Sequence, residues 1–306
     1  MTKHDHYADI ADRLISHLES ILDGYESGQP WRKPWHGSYD SAPRNGVTER
    51  HYRGINALLL STDPRNAEDP RWLTFNQAKK NGWKVKKGSK ATTVYLMKQI
   101  SKEEENEDGE TERKTFPLLR SFKVFHASQV EGMPEWQPET RNEESAWQAL
   151  ECAEKIIDRT GADIRHGGSE AFYSPAHDFV TLPPRDDFSS ADAYYATAFH
   201  ELAHWTKGTG RVPRREGVEN GKFGSVPYAK EEIRAEMASA MICSYLGVLG
   251  QDGQDCSNNV SYIRSWISAL RDDKYEARRA AADAQKIADF ILGDDQNEAQ
   301  ESKNEE

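Results

Sequence analysis

Between residues 7 and 24 the apolar positions Ile10, Leu14, Ile15, Leu18, Ile21 and Leu22 recur at three- and four-residue steps among polar neighbours. That spacing predicts an amphipathic helix with one buried stripe, stopped at Gly24. "QPWRKPWHGSYDSAPRNG" then interrupts every period with Pro and Gly and predicts an ordered loop anchored by two Trp. "TFNQAKKNG" predicts a short helix with Thr74 as its N-cap and Gly82 just beyond its end. "ATTVYLMKQI" and "RSFKVFHASQV" are β-rich runs, and the acidic run between them, residues 103–112, is expected to be a flexible hairpin insert.

Periodicity disappears in "EGMPEWQPETRNE", so a domain boundary is placed there, with residues 135–143 as the linker. Helical spacing returns over 144–160, about 191–207, about 228–246, 258–271 and 274–292, and "AFYSPAHDFVTLPP" interposes a hairpin or edge strand. The expected fold is α+β in two domains. Residues 1–134 form a mixed α/β domain and residues 144–292 a mainly helical one with a small edge-strand sheet. The acidic tail, 293–306, lacks large apolar residues and is expected to be disordered.

The chain has 306 residues, 36% hydrophobic and 30% charged, enough apolar material for packed cores. Its three cysteines, Cys152, Cys243 and Cys256, are scattered and odd in number. That argues against a disulfide framework or a cysteine zinc site and for a reducing cytoplasm. The first residues read as no signal peptide, and no apolar run is long enough to span a membrane.

Charge changes the picture more. The net charge of −11 hides a basic region: residues 27–123, without the acidic run, carry 19 basic and 5 acidic side chains. Such an excess points to a polyanion partner. The same region interleaves aromatics with cations, the combination that holds single strands by phosphate contact and base stacking. Candidate stackers are Trp31, Trp35, Tyr52, Trp72, Phe75 and Trp83. Candidate phosphate contacts are Arg32, Lys33, Arg50, Arg53, Lys79, Lys80, Lys84, Lys86, Lys87 and Lys90. No zinc finger or helix-turn-helix pattern appears, so sequence-specific major-groove reading is not indicated. The expected partner is single-stranded DNA, bound without sequence preference, with double-stranded DNA a weaker one.

Candidate chemistry sits in "AFHELAHWTKGTGR". Residues four apart share a helix face, so His200 and His204 can reach one ion, with Glu201 one position round as general base. Five residues need a confirming context, and a catalytic site needs a third ligand. Position 210 is Gly, so that ligand comes from elsewhere. "YAKEEIRAEMASAMIC" places Glu232 and Glu236 on a face shared with Ser239, Ala240 and Cys243. Glu232 is assigned as third ligand and Glu236 as the group behind it holding a histidine N–H, with Glu236 as the alternative ligand. Glu231, between Lys230 and Arg234, is expected to face solvent. Zn2+ is the expected metal, with another divalent ion such as Mn2+ the alternative. The edge strand preceding the helix would hold a peptide, His177 in it reads as a turn residue, and Tyr173 and Tyr228 read as packing residues.

Both halves resemble one family. "WRKPW", "PRNGVTERHYRGIN", "WLTFNQA", "VKKGSK" and "VFHASQVEGMP" resemble the N-terminal single-stranded-DNA-binding domain of ArdC-type antirestriction proteins, related to domains of TraC-type plasmid primases. "YYATAFHELAHWTKGTGRVPR" with "FGSVPYAKEEIRAEM" resembles the zincin-like metallopeptidase domain fused to it. The likeness runs from about residue 7 to 292. It implies a plasmid-encoded protein that protects incoming DNA from host restriction during conjugation. It also implies a metal held by His200, His204 and Glu232. Lys207 stands where the family pattern leads one to expect Gly. The residues leave three functions open. One is a DNA-bound metalloendopeptidase acting on an unidentified protein, such as a host restriction component. Another is a DNA-shielding protein with a structural metal, and the last is a general cytosolic metallopeptidase.

Overall fold

The computed structural model describes residues 5–27, 41–105, 111–137, 143–218, 221–222, 224–248 and 257–293. Asp5 accepts the backbone N–H groups of Tyr7 and Ala8 and so starts α1 (His6–Glu26). Its stripe Ile10, Leu14, Ile15, Leu18 and Leu22 is buried, as the periodicity predicts.

β1 (Arg44–Asn45), α2 (Gly54–Ser61), β2 (Arg71–Thr74), α3 (Phe75–Lys80), β3 (Lys84–Val85), β4 (Thr92–Glu105), β5 (Thr111–His126) and β6 (Val130–Glu131) follow. Four of the strands form a sheet in the order β1-β2-β5-β4, parallel only between β1 and β2, while β3 pairs with β6. Thr74 caps α3 and Gln77 reciprocates, forming a capping box.

One expectation is corrected in this half, that of Trp72 as a stacker. The β4–β5 ladder extends into both ends of the acidic run, and residues 106–110 between them lie outside the described residues. Glu103 pairs with Arg113, Glu104 with Glu112 and Glu105 with Thr111. Trp72 is fully buried, its indole N–H donating to Asn66 Oδ1 at 2.9 Å, so its ring faces the core and offers no surface to a base. β2 is a central strand covered on both faces, so its consecutive residues Arg71, Trp72 and Leu73 are all buried.

The second half contains α4 (Glu143–Thr160), β7 (Asp163–His166), β8 (Phe172–Ser174), β9 (Phe179–Leu182), α5 (Ala191–Trp205), α6 (Val226–Leu246), α7 (Ser257–Asp272) and α8 (Glu276–Leu292). The sheet order is β7-β9-β8, which leaves β8 as an edge strand packed on α5. Ser190 caps α5 and Ser225 caps α6, each accepting a backbone N–H three residues on. Ser239 Oγ donates to Ala196 O at 2.9 Å, so small residues bring α5 and α6 together.

The two halves share one apolar core. α1 packs on α7 and α8, α2 packs on α8, and a single cluster of buried side chains runs from Ile10 and Leu58 to Phe199, Ile233 and Ile287. The mixed α/β half and the mainly helical half are thus two sequence domains joined by continuous packing. Among the described residues no helix is long and apolar enough to cross a membrane.

Candidate metal centre

α5 presents His200 and His204 on one face, and α6 faces it with Glu231, Glu232 and Glu236. His200 Nε2 and His204 Nε2 lie 3.2 Å apart. Glu232 Oε2 is 3.5 Å from the first and Glu232 Oε1 is 3.4 Å from the second. Nitrogen and oxygen ligands around one tetrahedral ion at about 2.0–2.1 Å stand about 3.3 Å from each other. The three donors therefore already have the mutual spacing of a single divalent site, and His200, His204 and Glu232 are the group that brings its ligand atoms together.

Each imidazole has a carboxylate behind it. Glu236 Oε2 lies 3.3 Å from His200 Nδ1, and Glu231 Oε1 lies 3.2 Å from His204 Nδ1. A carboxylate in such a position orients an imidazole so that its Nε2 is left for a metal, and Glu231 makes that contact with His204. Glu236 stands at ion-pair distance behind His200, without a hydrogen bond to its Nδ1. Glu231, expected to face solvent, is buried, and Arg214 holds it through Nε to Oε2 at 2.7 Å and Nη2 to Oε1 at 3.1 Å. The flanking cation that suggested solvent is itself buried, since Arg234 pairs with Glu276 and Asp283. No residue spacing announced Arg214, which arrives from the loop after α5.

Four carboxylates, Glu201, Glu231, Glu232 and Glu236, surround the two imidazoles. Burial alone lowers the pKa of both histidines, but Glu232, with Glu236 and Glu201 for His200 and Glu231 for His204, outweighs it. His200 rises to about 10 and His204 to about 9. Burial raises the Glu231 carboxyl, yet His204 and Arg214 bring it down to about 2, and the two histidines hold Glu232 well below the usual carboxylate range. The field that stabilises imidazolium here equally stabilises a divalent cation, so the donor set fits the metal in charge as well as spacing.

Glu201 lines the same cleft, which has a volume of about 940 Å³ and runs from the metal donors to β8. Tyr228 and Tyr173 also line it. Tyr173 donates its hydroxyl to Asp178 Oδ1 at 2.9 Å on the rim, and His177 is exposed in the β8–β9 turn.

The basic residues are placed less uniformly. Lys79, Lys80, Lys84, Lys86, Lys87 and Lys90 are all exposed along α3, β3 and the turn after it, beside Phe75, which is 55% exposed. Lys86 Nζ also donates to Ser128 O at 2.7 Å. Arg50 is exposed, whereas Arg53 pairs with Asp289 of α8 at 2.6 Å. Tyr52 is half-buried against the Trp72 cluster, and Trp83 packs against Leu73 and Ala78. Trp31, Arg32, Lys33 and Trp35 lie outside the described residues.

Comparison with known proteins agrees with both halves. The profile described as the N-terminal domain of anti-restriction factor ArdC matches residues 4–125, and that of a zincin-like metallopeptidase matches residues 151–283. Two Escherichia coli proteins named DNA primase TraC are 39% identical over 95% of this chain, which spans only 20% and 27% of their lengths. The metal-free crystal structure of the antirestriction protein ArdC from plasmid R388 superposes with a TM-score of 0.71 at 33% identity, over 96% of this chain and 99% of that one. Its Mn(II)-bound structure gives 0.68 at 32% identity over the same shares.

Proposed function

This chain belongs to the ArdC family of antirestriction proteins, and we propose on that premise that it binds single-stranded DNA without sequence preference and carries a metal-dependent endopeptidase site. In this reading it acts in the cytoplasm on plasmid DNA arriving by conjugation, and its peptide substrate is a protein met on that DNA, such as a host restriction component. The observation that carries the peptidase reading is the convergence of His200, His204 and Glu232 beside Glu201 in one cleft.

A divalent ion, Zn2+ or Mn2+, held by those three residues would supply Lewis-acid polarisation to the scissile carbonyl and the attacking water. Glu201 takes the proton from that water and returns it to the leaving amine. Glu231 holds the His204 ring in place from behind, and Glu236 stands behind His200. The free edge of β8 lies along the cleft and supports a substrate strand by backbone pairing. For DNA, the exposed lysines from Lys79 to Lys90 supply the phosphate contacts, with Phe75 as a stacking face.

The deciding experiment compares Glu201→Ala with the parent in restriction protection and in cleavage of candidate host proteins. Loss of both with metal content unchanged supports the peptidase reading. Full protection by the variant sinks it and assigns protection to the DNA grip. Anisotropy of a labelled oligonucleotide across a salt series tests that grip, and a signal that is absent or insensitive to salt would remove it.

A further inference from the structure

A second cavity, of about 380 Å³, lies between the halves, away from the metal centre. Its floor is apolar: Leu58 comes from α2, Met241 from α6, and Ala288 and Leu292 from α8. Its rim carries cations and rings. Arg50 is exposed and makes no ion pair or side-chain hydrogen bond among the described residues. Tyr245, at the end of α6, is 56% exposed and meets the His51 ring edge-on with centroids 6.0 Å apart. An exposed tyrosine beside a histidine from the other half leaves an aromatic face open at the mouth.

The wall beneath is built from both halves. Arg53 Nη2 pairs with Asp289 Oδ2 at 2.6 Å, Gln285 Nε2 donates to Asp289 Oδ1 at 2.9 Å, and Gly54 N–H donates to Gln285 Oε1 at 2.7 Å. This chain fixes α2 against α8 and neutralises Asp289, so the net charge the rim offers is that of Arg50. An apolar slot of this size, with an aromatic face and a guanidinium at its edge, matches a nucleobase carrying a phosphate. It is too small for a structured protein element.

We propose that this cavity is a nucleotide subsite that takes one base of a single strand, stacked on Tyr245, with the adjoining phosphate on Arg50. The proposal rests on the single-strand-binding reading above and extends it, since it makes the C-terminal half part of the DNA surface. The base would then touch the C-terminal half of α6, whose N-terminal half carries Glu231, Glu232 and Glu236.

The test is anisotropy of a labelled oligothymidine with the full chain and three variants: Tyr245→Ala, Arg50→Ala and Ser244→Trp, which fills the slot. Tyr245→Ala alters an exposed residue, so the fold is retained whatever Ser244→Trp does to packing. Loss of one stacked base weakens binding about tenfold, and Arg50→Ala also lowers the salt slope by about one. An oligothymidine made abasic throughout should bind the parent more weakly and show no further loss with Tyr245→Ala. If the parent binds and all three variants stay within about twofold of it, the subsite is overturned and single-strand binding stands. If the parent binds no oligonucleotide at any salt concentration, both fall.

Discussion

His204 Nδ1 and Glu231 Oε1 lie 3.2 Å apart, and the same carboxylate is clamped from its other side by the buried Arg214 guanidinium. Arg214 also donates to Ala203 O at 2.7 Å, so one side chain ties the carboxylate behind a metal donor to the backbone of the helix that carries it. Replacing Glu231 by Gln keeps the shape but removes the charge. Metal affinity should fall about 10- to 100-fold, read by chelator competition. Arg214→Leu leaves a buried carboxylate without its cation and should cost about 3–5 kcal/mol in urea denaturation. Unchanged metal affinity in Glu231→Gln would show that His204 needs no support from behind.

Glu232 and Glu236 are one turn apart and separable by metal content. Glu232 reaches both Nε2 atoms, whereas Glu236 reaches only His200 Nδ1. Glu232→Ala should therefore lose bound metal outright, while Glu236→Ala should keep it with reduced affinity. If Glu236→Ala is the variant that emerges metal-free, the roles of ligand and supporting carboxylate are reversed.

Much of this site was legible because it is local. Residues four apart on a helix must share a face, so His200 with His204 and Glu232 with Glu236 followed from spacing alone. What spacing does not carry is the environment of a charge. Glu231 stood between two cations and so suggested solvent, but Arg234 is buried by partners 42 and 49 residues away, Glu276 and Asp283. Trp72 is buried for a related reason: "RWLTF" places an aromatic beside a cation in sequence, yet β2 is covered on both faces and buries Arg71 and Trp72 alike. The packing of α1 on α7 and α8 joins the two ends of the chain, and the apolar stripe shows that α1 is buried without naming what buries it.

His126 should make the N-terminal half acid-sensitive. It packs edge-on against Trp72 with centroids 4.9 Å apart, its Nε2 lies 2.6 Å from Asp69 O, and its Nδ1 accepts the Ser128 backbone N–H at 3.2 Å. Donation at Nε2 and acceptance at Nδ1 fit the neutral ring. Burial lowers the pKa below the ordinary 6.5 and Arg65 adds to this, while Asp69 and Asp63 partly offset it. Between the lowered folded value and about 6.5 the unfolded chain binds more protons, so stability falls as pH falls through that window. His126→Asn keeps an acceptor for Ser128 and cannot titrate. Urea midpoints from pH 7.5 to 5 should decline in the metal-loaded parent by more than in the metal-loaded variant. Parallel declines would show that His126 contributes nothing to the acid sensitivity.

The N-terminal half should not reach a native state alone. α1 buries Ile10, Leu14, Ile15, Leu18 and Leu22, and two of the three helices it packs against, α7 and α8, lie at the far end of the chain. Each such side chain contributes about 1.5–3 kcal/mol when buried, far more than the exposed Arg264–Glu26 and Lys274–Asp5 pairs along the same contact. A fragment of residues 1–134 therefore exposes this stripe. It should bind a hydrophobic dye and lack a cooperative thermal transition, whereas the intact chain should show a transition in which both halves unfold together. Truncation to residues 28–134 should reduce the dye signal by removing the stripe. A monomeric, dye-silent 1–134 fragment with a sharp transition would show that α1 finds sufficient cover on α2 and β4 and that the shared core is dispensable.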